Sequence, residues 1–122
     1  MAAKLPASMR ALQISKFGSN AVLQLNRNAK LPVIQRTDQV IVKVAATSLN
    51  PIDVQIRGGY SAKMIQRMTQ KQGMFPLTLG RDFAGTVIEI GSSVRRVKVG
   101  DKVDSLGYKM INSFIVSALM FD

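Results

Sequence analysis

The sequence predicts a mainly β fold, a small partial barrel that carries only short helices. At least six short segments alternate apolar and polar residues with the period of a strand, and Gly, Asn or Asp turns separate them. The helical patterns between them are brief. A chain of 122 residues with 47% hydrophobic residues has enough apolar surface for one core without disulfides or metals.

The first strands form a predicted hairpin. Residues 9–16 alternate, with Leu12 and Ile14 expected on one face and Ala11 and Gln13 on the other. A turn at residues 18–20 precedes a second strand, which the pattern starts at Val22.

Residues 39–46 have the clearest strand pattern in the chain. Val40, Val42 and Val44 face one way, and Ile41 and Lys43 the other. Proline favours the first position of a helix and glycine favours its end. Residues 51–57 are therefore predicted to be helical, from Pro51 to the glycine pair at 58–59.

Residues 62–72 have the spacing of a short amphipathic helix. Lys63, Arg67 and Lys71 lie four residues apart, beside apolar Met64 and Ile65. One interpretation is a surface helix whose apolar side chains pack inward while its basic ones stay solvated. The other is a surface that binds a partner or a cofactor phosphate.

The remaining strands follow one another closely. The patterns predict strands at residues 83–90, 94–99, 102–106 and 112–119, with turns at 91–93 and 100–101.

Composition excludes several classes of function. Without Cys or His, the chain has no Cys/His zinc site, thiol nucleophile or Ser-His-Asp triad, and no apolar run reaches the 18 residues of a membrane span. It also contains no Gly-x-Gly-x-x-Gly or Walker motif. The formal charge of +10 would attract polyanions, but the basic residues are dispersed and aromatic residues for base stacking are few, which argues against nucleic acid.

Two carboxylates are candidates for a site. Asp53 and Asp82 each lie where a strand meets a turn, near Asn50 and Arg81 respectively. An acid beside an arginine is more often a structural ion pair than a general acid or base. The residues by themselves assign no catalytic group.

An ordered set of motifs is more informative than any single residue. Asn-Pro-x-Asp at 50–53 and Arg-Gly-Gly-Tyr at 57–60 precede Pro-Leu-Thr-Leu-Gly-Arg-Asp at 76–82 and Val-Gly-Asp-Lys-Val at 99–103. This set resembles the N-terminal GroES-like domain of the medium-chain dehydrogenase/reductases. Within that superfamily it resembles the zinc-free quinone-oxidoreductase branch, and there the group of Nogo-interacting mitochondrial proteins.

The resemblance implies roles for particular residues. Asn50 and Arg81 stand where the zinc-dependent relatives carry a Cys and a His ligand, so no metal site is expected. In the zinc-free relatives the Asn lies near the nicotinamide of NADPH. The expected cofactor-binding or cleft residues are Asn50, Asp53, Tyr60, Arg81 and Asp82, with Tyr60 matching the family pattern only approximately.

The resemblance also implies a domain plan: an N-terminal extension at 1–8, the GroES-like domain at 9–106, and a divergent strand or truncation tail at 107–122. The implied function is the substrate-cleft domain of an NADPH-dependent reductase of quinones or enones. Without a Rossmann cofactor domain, this chain is expected to bind NADPH weakly and to be inactive alone. Its implied location is mitochondrial, otherwise cytoplasmic. The alternative is a non-enzymatic basic barrel that binds a protein partner or nucleic acid.

Overall fold

The computed structural model describes residues 5–68, 73–105 and 115–119, and it contains two β-sheets with two short helices. The mainly β class predicted from the sequence is confirmed. The elements in chain order are β1 (Met9–Ile14), a 3₁₀ turn (Asn20–Val22), β2 (Gln24–Ala29), β3 (Val40–Ser48), α1 (Pro51–Arg57), α2 (Ala62–Met68), β4 (Leu77–Thr78), β5 (Asp82–Ile90), β6 (Lys102–Asp104) and β7 (Ile115–Leu119).

The first sheet has the strand order β2-β1-β4, and both pairings are antiparallel. The predicted hairpin is therefore present, but its second strand begins at Gln24 and not at Val22. A 3₁₀ turn occupies the intervening residues because the Ser19 hydroxyl accepts a hydrogen bond from the Ala21 amide at 3.3 Å and caps it. The β1–β2 register shifts before Ala11, and Ala11 is buried.

The second sheet has the order β6-β5-β3-β7. Strands β3 and β5 are antiparallel and β7 runs parallel to β3. The strands predicted at residues 39–46 and 83–90 are confirmed. Of the segment predicted at 112–119, residues 115–119 form β7, and residues 112–114 lie outside the described residues.

Strand β3 lies between two parts of the core. On one face, Val40, Val42 and Val44 pack with Val87 and Val103. On the other face, Ile41 packs with buried residues of the first sheet, Met9, Ala11 and Ala29. Successive strand residues point to opposite faces, so the apolar run at 40–42 covers both.

The strand predicted at 94–99 is wrong. This segment is a loop after β5, in which Val94 and Val97 are buried and Val99 is 55% exposed. A burial spacing of three does not fit a strand, whose side chains repeat every two residues. The loop covers the valine face of β3 and β5, and the strand that pairs with β5 is β6.

Both predicted helices form, the second over a shorter range. Helix α1 begins at Pro51 and ends before Gly58, as predicted. In α2, Ile65 is buried and Lys63 and Arg67 are exposed, as expected for a surface helix. Met64 is 52% exposed, so the predicted inward packing of the apolar side chains holds for Ile65 and not for Met64. Residues 69–72 of the predicted helix lie outside the described residues. Within the described part of the chain, no helix has the length and apolar character needed to span a bilayer.

Candidate functional site

The ends of three strands meet at the start of α1. Ser48, the last residue of β3, pairs with Asp82, the first residue of β5. Asn50 follows two residues later as the N-cap of α1. Ser105, which follows β6, lies beside the start of β5 because Ala84 pairs with Asp104. The antiparallel register therefore brings Ser48 and Asn50 together with Asp82 and Ser105, which are distant from them in sequence, at one end of the sheet.

The Asp82 carboxylate is at the centre of these contacts. Its Oδ2 accepts a hydrogen bond from the Asn50 side-chain amide and lies 3.5 Å from the Ser48 hydroxyl. Its Oδ1 accepts a hydrogen bond from the Ser105 hydroxyl at 3.2 Å. Asn50 Nδ2 also donates to the Ser48 hydroxyl at 3.3 Å. We call Ser48, Asn50, Asp82 and Ser105 the polar network.

Asp53 fixes the backbone on both sides of this network. The residue is 2% exposed, the only polar or charged side chain in the described residues that is this deeply buried. Its Oδ2 accepts a hydrogen bond from the backbone N–H of Asn50 at 2.9 Å, and its Oδ1 accepts one from the backbone N–H of Gly80 at 3.0 Å. A buried carboxylate needs such donors. Asp53 thus joins the start of α1 to the segment that leads into Asp82.

Replacing this carboxylate should cost stability. We expect Asp53→Asn to lower the free energy of unfolding by about 2–3 kcal/mol, because an amide oxygen replaces one acceptor while the NH2 group faces the second N–H donor. Urea denaturation measures the difference. The exposed β5 residue provides a control, Glu89→Gln, with an expected change within about 0.5 kcal/mol. Equal stabilities for the two variants would contradict this role.

Arg81 and Tyr60 are not part of the polar network. Arg81 is exposed and forms no hydrogen bond or ion pair with the residues that the structure describes, so the structural ion pair considered for Asp82 is not the arrangement found there. Tyr60 is 59% exposed and follows α1 at the end opposite Asn50. The seven residues of α1 separate the two by about 10 Å along the helix axis. The structure joins Asn50, Asp53 and Asp82, and leaves Arg81 and Tyr60 as exposed neighbours.

Sequence reasoning missed Ser48, Gly80 and Ser105. The Ser105 hydroxyl also accepts from the Phe83 amide at 3.2 Å, and the Ser105 amide donates to the Phe83 carbonyl at 3.0 Å. These contacts depend on the pairing of β5 with β6. The sequence pattern suggested a strand at 94–99, between β5 and β6 in the chain, and did not show that β5 pairs with β6. No local signal therefore identified Ser105.

A shallow, open depression of about 350 Å³ adjoins the polar network. It is lined by both polar and apolar residues: Ala46, Thr47, Ser48, Asp82, Phe83, Ala84, Asp104 and Ser105. Across residues 5–68 and 73–105, no three Asp or Glu side chains are grouped so that they could hold a metal ion. The amide, hydroxyl and carboxylate groups of the polar network can form hydrogen bonds with a ligand.

Comparison with known proteins identifies the family. The model of the alcohol dehydrogenase GroES-like domain matches residues 36–110. The chain belongs to this family. The match includes β3, α1, β5 and β6, and therefore the whole polar network. The wider boundaries of 9–106 for this GroES-like domain remain a prediction.

Similar proteins are oxidoreductases by name. The mitochondrial NAD(P)H oxidoreductase RTN4IP1 of Danio rerio is 45% identical in an alignment 101 residues long that covers 78% of this chain and 26% of that protein. The chloroplastic NADPH-dependent alkenal/one oxidoreductase of Arabidopsis thaliana is 37% identical over 83% of this chain and 24% of its own length. The chain thus spans about a quarter of these relatives.

A solved structure supports the same family. The quinone oxidoreductase of Coxiella burnetii superposes with a TM-score of 0.59 at 40% identity, over 79% of this chain and 28% of that one. The GroES-like domain described here is therefore a member of the medium-chain dehydrogenase/reductase superfamily, similar to its quinone-oxidoreductase members.

Proposed function

We propose that this GroES-like domain forms the substrate-cleft part of a zinc-free, NADPH-dependent oxidoreductase that reduces quinones or enones. The observation that carries the proposal is the orientation of the Asn50 amide by Asp82. Relatives named as NAD(P)H, alkenal/one and quinone oxidoreductases support the substrate class and the cofactor. We propose a mitochondrial location on the names of the RTN4IP1 relatives.

The side-chain oxygen of Asn50 is a suitable hydrogen-bond acceptor for a nicotinamide carboxamide. The two hydrogens of Nδ2 are directed at Asp82 and at Ser48. The amide oxygen faces the Asp53 backbone N–H in the capping box of α1 and has a second lone pair for an N–H donor of a ligand. NADPH, when bound, supplies the hydride. Asn50 would hold the nicotinamide end, Asp82 and Arg81 would shape the floor of the cleft, and Tyr60 would line its exposed side. Asp53 would keep Asn50 and the segment before Asp82 at a constant separation.

Binding of the nicotinamide end is testable on this chain. We expect millimolar reduced nicotinamide mononucleotide, in about 0.3 M salt to screen surface charge, to shift NMR signals of the ¹⁵N-labelled chain at residues 47–50, 82–84 and 105. Asn50→Ala should weaken this binding by a factor of about 5, which is the loss of one hydrogen bond.

The NMR titration has a matched control and a result that would contradict the proposal. Asn28→Ala removes an exposed asparagine of β2 and should leave the titration unchanged. Salt-sensitive shifts at lysines and arginines, with no shifts at residues 47–50, 82–84 and 105, would contradict the proposal and favour the non-enzymatic basic module. That second function has no specific observation in its favour, since the basic residues are dispersed and Phe83 packs against the valine core.

A further inference from the structure

Ser105 has contacts that a surface serine after a strand does not require. Its hydroxyl accepts from the Phe83 amide at 3.2 Å and donates to Asp82 Oδ1 at 3.2 Å. Its amide donates to the Phe83 carbonyl at 3.0 Å. The hydroxyl is therefore held by the backbone of β5 in a position from which its proton meets the carboxylate.

The Asp82 carboxylate distributes its two oxygens between different partners. Oδ1 receives the Ser105 hydroxyl and Oδ2 receives the Asn50 amide. The Thr47 hydroxyl donates to the Asp82 carbonyl at 2.7 Å and fixes the backbone of the same residue. A carboxylate turns about its last side-chain bond with a broad preference. A donor on Oδ1 therefore restricts where Oδ2 points.

We propose that Ser105 is a positioning residue, which acts on the ligand through Asp82 and Asn50. By holding Oδ1, Ser105 aims Oδ2 at Asn50 Nδ2, and the amide then keeps its NH2 group toward Asp82 and its oxygen away from it. The ligand consequently meets a hydrogen-bond acceptor. This inference rests on the proposed function for the identity of the ligand, while the hydrogen bonds themselves belong to the ligand-free chain.

The arrangement also specifies the chemistry that Asn50 selects. A carboxamide offers N–H donors to the amide oxygen, whereas the carbonyl of a quinone or enone offers only acceptors. Ser105 therefore favours contact of Asn50 with the nicotinamide and disfavours direct contact with the substrate carbonyl. Loss of the hydroxyl would leave the Asn50 amide oriented only by the capping box with Asp53 and by Ser48, with a less well-aimed Asp82 carboxylate, and would weaken this preference.

The test is the side-chain NH2 signals of Asn50 in the ligand-free, ¹⁵N-labelled chain. Asn50→Ala identifies these signals by their loss. We expect Ser105→Ala to move both signals toward the values of a solvated amide, and Ser105→Thr, which retains the hydroxyl, to leave them near those of the unaltered chain. Ser15→Ala, at an exposed serine after β1, is the matched control and should not move them.

Further measurements separate positioning from stability. Backbone signals away from residues 47–50, 82–84 and 105 should not change in Ser105→Ala, and binding of reduced nicotinamide mononucleotide should weaken about 5-fold, as for loss of one hydrogen bond. If Ser105→Ala does not fold, Ser105→Cys, whose thiol is a weak donor, is read by the same two signals. Unmoved Asn50 signals in the folded variant would overturn the inference.

The two proposals fail in different ways. If reduced nicotinamide mononucleotide does not bind, the proposed function is wrong, although the Asn50 signals still report the Ser105 to Asn50 link. If the ligand binds at Asn50 but Ser105→Ala leaves the Asn50 signals and the affinity unchanged, only the positioning role is wrong.

Discussion

The 122-residue chain is expected to show no quinone-dependent oxidation of NADPH above the background without protein. Hydride transfer requires the nicotinamide and its acceptor to be held about 3–3.5 Å apart. In dinucleotide-binding proteins that placement depends on a pyrophosphate anchored at a Gly-rich helix N-terminus. The sequence contains no Gly-x-Gly-x-x-Gly motif, so the polar network would hold one end of the cofactor only.

The affinity for NADPH should be correspondingly weak. We expect a Kd of about 1 mM or weaker, roughly a thousandfold above a micromolar site. Most of that binding should come from the positive charge of the chain and should fall as salt is raised to about 0.3 M. Isothermal titration measures the Kd for NADPH, and the loss of NADPH absorbance measures its oxidation.

A purified relative of full length serves as the positive control for the assay. Micromolar binding of NADPH by this chain in about 0.3 M salt, together with turnover of a quinone, would contradict the expectation. The 122-residue chain would then be sufficient for catalysis.

The largest effect on stability is expected at Gly85, in the middle of β5. A Cβ there would lie 2.1 Å from the Lys43 carbonyl oxygen and 2.8 Å from Val42 Cγ1. The first contact is with the backbone of β3, which moves only if the pairing of the two central strands changes. We expect Gly85→Ala to lower the free energy of unfolding by about 4 kcal/mol or more, or to prevent folding.

Gly58 provides the matched control for the same substitution. It follows α1 with φ −80° and ψ −3°, and its added Cβ would meet the Gln55 carbonyl oxygen at 3.4 Å. Gly58→Ala should therefore change stability by less than about 1 kcal/mol. Thermal or urea denaturation compares the variants. A folded Gly85→Ala chain with the stability of Gly58→Ala would show that β3 and β5 do not approach as closely as described.

Several elements were predictable from the sequence because their signals are local. The alternation of residues 39–46 and 83–90 identified β3 and β5, and the Asn-Pro and Gly-Gly pairs placed both ends of α1. The motifs around Asn50 and Asp82 indicate the family without any knowledge of tertiary contacts, and the match to the family model confirms it. Periodicity and turn-forming residue pairs depend only on residues that are close in sequence, so they can be recognised without the rest of the chain.

Other features depended on contacts between distant residues. Val94 and Val97 lie in a loop and cover the valine face of β3 and β5. Their spacing in the sequence suggested a strand, because the sequence does not show which surface they cover. Strand β4 is two residues long, too short to have a period. The parallel pairing of β7 with β3 and the antiparallel pairing of β5 with β6 depend on the path of the chain between the strands, which no local pattern shows.

The candidate site likewise has features that the sequence shows and features that only the tertiary structure shows. The sequence by itself determined that Asn50, Asp53 and Asp82 are present at family positions and that no Cys or His accompanies them. Only the tertiary structure decided that Asp82 joins Asn50 to Ser105, that Asp53 joins Asn50 to Gly80, and that Tyr60 and Arg81 remain exposed. Hydrogen bonds of this kind span 23–32 residues, and their geometry exists only once the strands have paired.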